Sequence, residues 1–238
     1  EILESLSKDG LAIINKSSPH IKVWKEMSGT ENLTFFGDDS AVFASDIEEN
    51  KSKINFNLNF NGKSININLS MIGLHQVDNA LAAASCALEL GIKPNIIKKG
   101  LENALSEKGR LELIELENFR ILDDSYNANP QSMKAAIDAI SNFSGEKVLV
   151  LGSMAELGKD SIKLHQEIGE YARQSNIHHL LTIGEDAKEY QGKQFDDINS
   201  IYKSIQNNHQ GSTILIKGSR MMRLNELVDI LVNSANSS

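Results

Sequence analysis

One stretch constrains this chain more than any other: Ile121–Ala136, ILDDSYNANPQSMKAA. It reads as a short apolar strand ending in two carboxylates, a loop of small and amide side chains, and then a helix. Pro130 suits the first helical position, where no backbone N–H is needed, and Asn129 ahead of it suits the N-cap. A strand running into a helix is the repeating unit of an α/β sheet, and such sheets bind ligands beyond the carboxyl ends of their strands. The helix N-terminus there offers N–H groups and partial positive charge to an anion. A capped turn with solvated acids is the competing reading, because turns rich in Asp and Asn are common.

The residues that follow repeat the unit. A helix is expected over Pro130–Asn142, a strand over Val148–Leu151 and, after the loop GSMAELGKDS, a helix over Ile162–Gln174. Next come a strand at His179–Ile183, a short helix after Gly184, a helix near Asn199–Gln206, a strand at Thr213–Lys217 and a helix at Leu224–Val232. Alternation of this kind implies a parallel sheet with right-handed crossovers. Three strands then end in Asp123-Asp124, Gly152-Ser153 and Lys217-Gly218-Ser219-Arg220, along one shared edge.

The earlier half has a different period. Glu1–Gly10 reads as a helix end, Leu11–Asn15 as a strand, Ser18–Met27 as a helix and Leu33–Phe36 as a strand. Between Ala41 and Ser70, Ile54, Phe56, Leu58 and Phe60 alternate with polar residues, as do Ile65, Ile67 and Leu69. Asn61-Gly62 between the two runs is a strong hairpin signal. Gly62-Lys63-Ser64 matches the tail of a phosphate-binding loop. However, Asn57 stands where the first glycine belongs and the setting is a hairpin. An alanine-rich helix spans Gly73–Gly91, with His75, Gln76 and Asn79 at its start, and Pro94 opens a helix to Leu105. Gly109-Arg110 leads into a hairpin, Leu111–Leu116 with Phe119–Leu122. We expect a domain boundary near Glu107, giving domains 1–107 and 108–238.

Composition narrows the function classes. A net charge of −8 with no basic stripe argues against nucleic acid as a partner. No apolar run approaches the ~18 residues of a membrane span, and no signal-peptide pattern appears. The single Cys86 rules out an intramolecular disulfide and is compatible with a reducing cytosol; in its alanine-rich helix it is expected to be a buried, inert thiol. The chain opens at Glu1 inside an apparent helix, so a piece of a longer protein is expected.

Lys217, Arg220 and Arg223 put positive charge at a helix start, where a carboxylate or phosphate would fit and solvated charges are the alternative. Glu156 lies in the GSMAELG loop after the second strand, and His165 follows it. His165 shares a helix with Leu164 and Ile168, which favours a packed structural role over acid–base chemistry. His178-His179 reads as a surface pair. No spacing supports a metal site, and no nucleophile elbow is present.

GLHQVDNALAAA, Gly109-Arg110, DDSYNANPQSMKAA, VLGSMAELG with LHQEIG, and LIKGSRMMR together resemble the Mur ligases. DDSYNANP and MAELG are specific to the branch that joins D-alanyl-D-alanine to UDP-N-acetylmuramoyl-tripeptide. The alanine-rich helix motif is shared with folylpolyglutamate synthases. Gln76 departs from the branch pattern, which has Asn there, and Ser153 from its Asp. The resemblance implies an α/β fold: the later part of a central ATPase domain followed by a Rossmann-like C-terminal domain. It implies a cytoplasmic, monomeric, ATP- and Mg2+-dependent amide ligase working through an acyl phosphate. The family's P-loop, magnesium ligands and carbamylated lysine precede the matched segment, so the segment alone is expected to be inactive. Carried over by motif, His75, Asn79, Arg110 and Asp124 would bind nucleotide, with Asn79 on adenine and Asp124 on the ribose hydroxyls. Tyr126, Asn127, Asn129, Lys217, Ser219 and Arg220 would bind the dipeptide. A folate-type ligase and a non-catalytic nucleotide-binding module remain the alternatives.

Overall fold

A computed structural model describes residues 2–50 and 52–235. The chain divides into two compact units, Glu1–Leu105 and Ser106–Ser238.

In the first unit the period-two pattern builds the sheet. Its elements are β1 (Ala12–Asn15), α1 (Ile21–Glu26), β2 (Leu33–Phe36), β3 (Val42–Glu49), β4 (Ile54–Phe60), β5 (Lys63–Leu69), α2 (His75–Glu89) and α3 (Pro94–Glu102). The strands lie in the order β1-β2-β3-β4-β5, parallel as far as β3 and antiparallel after it. Ile54, Phe56, Leu58 and Phe60 all point into the core with Ile67 and Leu69, and Val77, Ala80, Leu81 and Ala84 of α2 cover them. Asn61 and Gly62 both have positive φ, 47° and 70°, as a tight two-residue hairpin turn requires. The lysine of the phosphate-loop look-alike is therefore the first residue of a strand.

Three expectations fail here. Residues 2–5 form turns rather than a helix: the Leu3 carbonyl accepts the Gly29 N–H, and the chain just after them is tied to the same region, where Thr30 Oγ1 donates to Lys8 O and Gly10 O. The helix expected from Ser18 starts at Ile21, since the Ser18 hydroxyl accepts the His20 N–H in a turn. Cys86 is exposed, as it lies beside rather than on the buried stripe Val77, Ala80, Leu81, Ala84 and Ser85.

The second unit holds β6 (Glu112–Glu115), β7 (Arg120–Asp124), α4 (Pro130–Ser141), β8 (Lys147–Gly152), α5 (Ser161–Gln174), β9 (His179–Ile183), β10 (Lys193–Phe195), α6 (Ile198–Asn208), β11 (Thr213–Lys217) and α7 (Asn225–Ala235). The sheet order is β10-β9-β8-β11-β7-β6, with every pair parallel except β6 and β7. β8 and β11 are buried along their whole length, which explains their unbroken apolar sequences. One face packs Val148, Val150, Ile214 and Ile216 against α6 and α7 through Ile201, Ile205, Leu227 and Leu231. α4 packs against β8, β11 and α5. The short edge strand β10 was not expected from sequence.

α5 runs close to the chain at Tyr190. A Cβ on Gly169 would stand 2.6 Å from the Tyr190 Cα, with backbone on both sides of the clash. Gly169→Ala should destabilise the second unit by about 1–3 kcal/mol. Gly100 in α3 has nothing within 4 Å, so Gly100→Ala should stabilise the first by about 0.4–1 kcal/mol. Denaturant titration of both variants checks the opposite signs.

Candidate functional site

β11 lies between β7 and β8, so three carboxyl ends meet at one edge. Lys217 is in register with Asp124 of β7 and with Leu151 of β8. Its side chain is buried, with Nζ 2.6 Å from Asp124 Oδ2 and donating to the Asn127 carbonyl at 2.8 Å. Burial pushes the Asp124 carboxyl above its usual range and the Lys217 ammonium below its own, while their mutual attraction opposes both shifts. The Leu111 N–H also donates to the Asp124 carboxylate.

Leu111 makes that bond from a left-handed conformation, φ 56°, in which a bulky side chain is strained. Gly109 before it has φ 76°, and its carbonyl accepts the Tyr126 N–H at 3.0 Å. A Cβ on Gly109 would stand 3.2 Å from that nitrogen, so only glycine fits here without displacement. The turn presents the Arg110 guanidinium 4.3 Å over the Tyr126 ring, and Arg220 lies 5.1 Å from the same ring. All three side chains are exposed. The result is two cations flanking an aromatic plane beside a carboxylate whose neighbours are fixed.

Behind this surface, Asn129 and Ser132 form a reciprocal capping box at the start of α4. The Asn127 side chain accepts the Ala128 N–H at 2.8 Å. Asp123 is fully buried; its Oδ1 accepts the Ser125 N–H, whereas its Oδ2 and the Ser125 hydroxyl have no hydrogen-bond partner. Ser219 is also buried, and its N–H donates to the Ser153 carbonyl at 3.0 Å. Lys217 and Ser219, expected to face a dipeptide, thus point inward, while Arg220 points outward. Arg223 pairs with Glu226 on the surface.

The GSMAELG loop is held from below by His165. Its Nε2 accepts the Met154 N–H at 2.9 Å and its Nδ1 lies 2.7 Å from the Ser161 carbonyl, which places the proton on Nδ1. His165 is a buried, positioning histidine, as its apolar helix face implied. Glu156, exposed at the loop tip, has φ 61°. In the first unit, His75 and Asn79 are exposed at the start of α2, and Asn79 Nδ2 donates to Gln76 Oε1 at 3.0 Å. Sequence reasoning did not find the Leu111 N–H or the buried pair Asp123 and Ser125. A backbone donor carries no side-chain signal, and DDS reads equally well as a solvated turn.

A largely parallel α/β sheet with helices on both faces defines a Rossmann-like class of domain, here with a carboxylate and two arginines at its carboxyl edge. The sequence profile of the Mur ligase middle domain matches residues 1–87, and that of the Mur ligase glutamate ligase domain matches residues 109–220. The chain belongs to the Mur ligase family. It is 36% identical to a UDP-N-acetylmuramoyl-tripeptide–D-alanyl-D-alanine ligase of Buchnera aphidicola, aligning over 98% of this chain and 53% of that protein. The enzyme of the same name from Escherichia coli is 34% identical, over 97% and 54%. A crystal structure of MurF from Acinetobacter baumannii superposes with a TM-score of 0.88 at 31% identity, covering 98% of this chain and 53% of that one. The chain thus spans about half the length of these relatives.

Removing one member of the Lys217–Asp124 pair strands the other. Lys217→Met should lower the stability of the second unit by up to about 3–5 kcal/mol, and adding Asp124→Asn should recover part of that loss. A double-mutant cycle in urea measures the coupling, and additive losses would show that the pair is not a unit.

Proposed function

We propose that the protein to which this chain belongs is an ATP-dependent ligase that joins D-alanyl-D-alanine to UDP-N-acetylmuramoyl-tripeptide in the cytoplasm. The observation that carries this reading is Asp124. An ionised carboxylate offers about four acceptor positions, and Lys217 and the Leu111 N–H occupy two. The remainder suits a pair of vicinal hydroxyls, as on a ribose. Arg110, exposed and oriented on Tyr126, adds a cation for the phosphates of the same nucleotide.

In the reaction we assign, the tripeptide carboxylate attacks the γ-phosphorus of ATP, giving an acyl phosphate and ADP. The dipeptide amine then attacks the acyl carbon. The tetrahedral intermediate collapses with loss of inorganic phosphate and a proton, leaving the amide. Little of this requires covalent chemistry from the protein; alignment and charge stabilisation supply the acceleration. In this reading Arg220, beside the Tyr126 ring, grips the dipeptide carboxylate, and Tyr126, Asn127 and Asn129 are further dipeptide contacts. Lys217 acts as a positioning residue through Asp124 and the Asn127 carbonyl, and Ser219 through its backbone. In the first unit, His75 and Asn79 are assigned to nucleotide by their motif alone, Asn79 through its amide on adenine. Magnesium, when bound, would neutralise the transferring phosphates. Of the two carboxylates that end β7, Asp124 is already paired with Lys217 and Asp123 is fully buried, so we assign the magnesium ligands elsewhere in the full-length protein.

Full-length protein supplied with ATP, UDP-N-acetylmuramoyl-tripeptide and D-alanyl-D-alanine should release phosphate. Turnover with folate and glutamate alone would establish the other branch instead. In that assay Arg110→Ala and Asp124→Asn should each raise the apparent KM for ATP roughly tenfold or more, since hydrogen bonds to charged groups are worth about 1.5–3 kcal/mol. Unchanged ATP kinetics in both variants would remove the nucleotide assignment.

A further inference from the structure

At the opposite edge of the second unit's sheet, where the parallel strands begin, three metal-ligating side chains converge. Glu146 immediately precedes β8, His179 opens β9, and His209 follows α6 ahead of β11. Because β9, β8 and β11 are neighbours, these starts lie side by side. Glu146 Oε1 is 2.9 Å from His209 Nδ1 and 3.3 Å from His179 Nε2, and the donor atoms all fall within 4.8 Å of one another. The two imidazoles are 4.6 Å apart, tilted by 54°. His209 is buried, Glu146 half-buried and His179 exposed, so the cluster has a closed floor and an open side.

Hydrogen bonds fix the backbone at or beside each of the three residues. The Thr213 N–H donates to Glu146 O at 2.8 Å, and the Ser212 hydroxyl to His209 O at 2.6 Å. Next to His179, the His178 N–H donates to Lys147 O, and the Lys147 N–H returns to His178 Nδ1. Sequence spacing concealed the site because its members lie on three separate segments.

We propose that Glu146, His179 and His209 bind zinc through three protein ligands, with water in the fourth position. Tetrahedral zinc, with bonds near 2.0–2.2 Å, places neighbouring ligand atoms ~3.3 Å apart. The two Glu146 contacts are already close to that spacing, and only the two imidazole nitrogens need to move together. Two imidazoles and one carboxylate select a borderline divalent ion over magnesium or calcium, which prefer all-oxygen shells. The strands place this cluster roughly 20 Å from the carboxyl edge, at ~3.3 Å per residue over β8. An ion bound there would link three strand starts, and the site is independent of the ligase assignment.

The test uses the chain without an affinity tag, titrated with zinc by calorimetry, with thermal melts and cobalt(II) spectra alongside. We expect one zinc per chain, a raised melting temperature, and the intense visible bands of tetrahedral cobalt. His179→Ala changes an exposed side chain and should leave the fold intact by circular dichroism. It should weaken zinc binding at least about tenfold, the low end of what even an outer-shell partner contributes. Glu146→Gln should do the same. A wild-type chain that binds no zinc, or equal zinc affinity in wild type and His179→Ala, overturns the proposal; the trio is then a hydrogen-bonded His–Glu–His cluster.

Discussion

The buried contact between Lys217 and Asp124 is the interaction on which the second unit's working edge depends. Each charge would be costly to bury alone, and each sits at the last residue of its strand. Lys217 also holds the Asn127 carbonyl, and Asp124 also receives the Leu111 N–H. One ion pair therefore aligns β11, β7, the loop into α4 and the turn carrying Arg110. An apolar pair of similar volume could pack as well, but it would not orient a carboxylate.

Much of this architecture could be read from residue patterns. The alternation of Ile54, Phe56, Leu58 and Phe60 specified a half-buried antiparallel strand, and Asn61-Gly62 specified its turn. Asn129-Pro130 marked the start of α4, where the capping box lies. The late start of α1 was a local matter of the Ser18 turn, but several other misses were decided by contacts distant in sequence. Residues 2–5 have a helical pattern, but the Leu3 carbonyl accepts the Gly29 N–H instead of continuing a helix. β10 is only three residues long and exists because it borders β9. Lys217 looked like a surface cation because nothing in LIKGSR shows that β11 is flanked on both sides. At the site, the side chains were legible as types, while their directions, inward for Lys217 and outward for Arg220, were not.

Within the second unit, backbone strain gathers beside the same edge. Leu111, Glu156 and Arg223 all have positive φ without being glycine, and each lies next to a strand or loop that borders the candidate site. The compensations are local and visible: Leu111 is buried and bonded to Asp124, and the loop before Glu156 is pinned by His165. Rigid backing of this kind allows exposed arginines to be presented at fixed positions.

The strand order has a consequence for how the protein is made. β7 and β8 are synthesised well before β11, yet they are not neighbours in the finished sheet. Until β11 emerges, each has an unpaired edge, and their direct pairing would be a register error. The nascent chain must keep a gap open for its last strand. During that interval Ile121, Val148 and Val150 lack their final partners, which makes it the period of greatest exposure to aggregation and to chaperones.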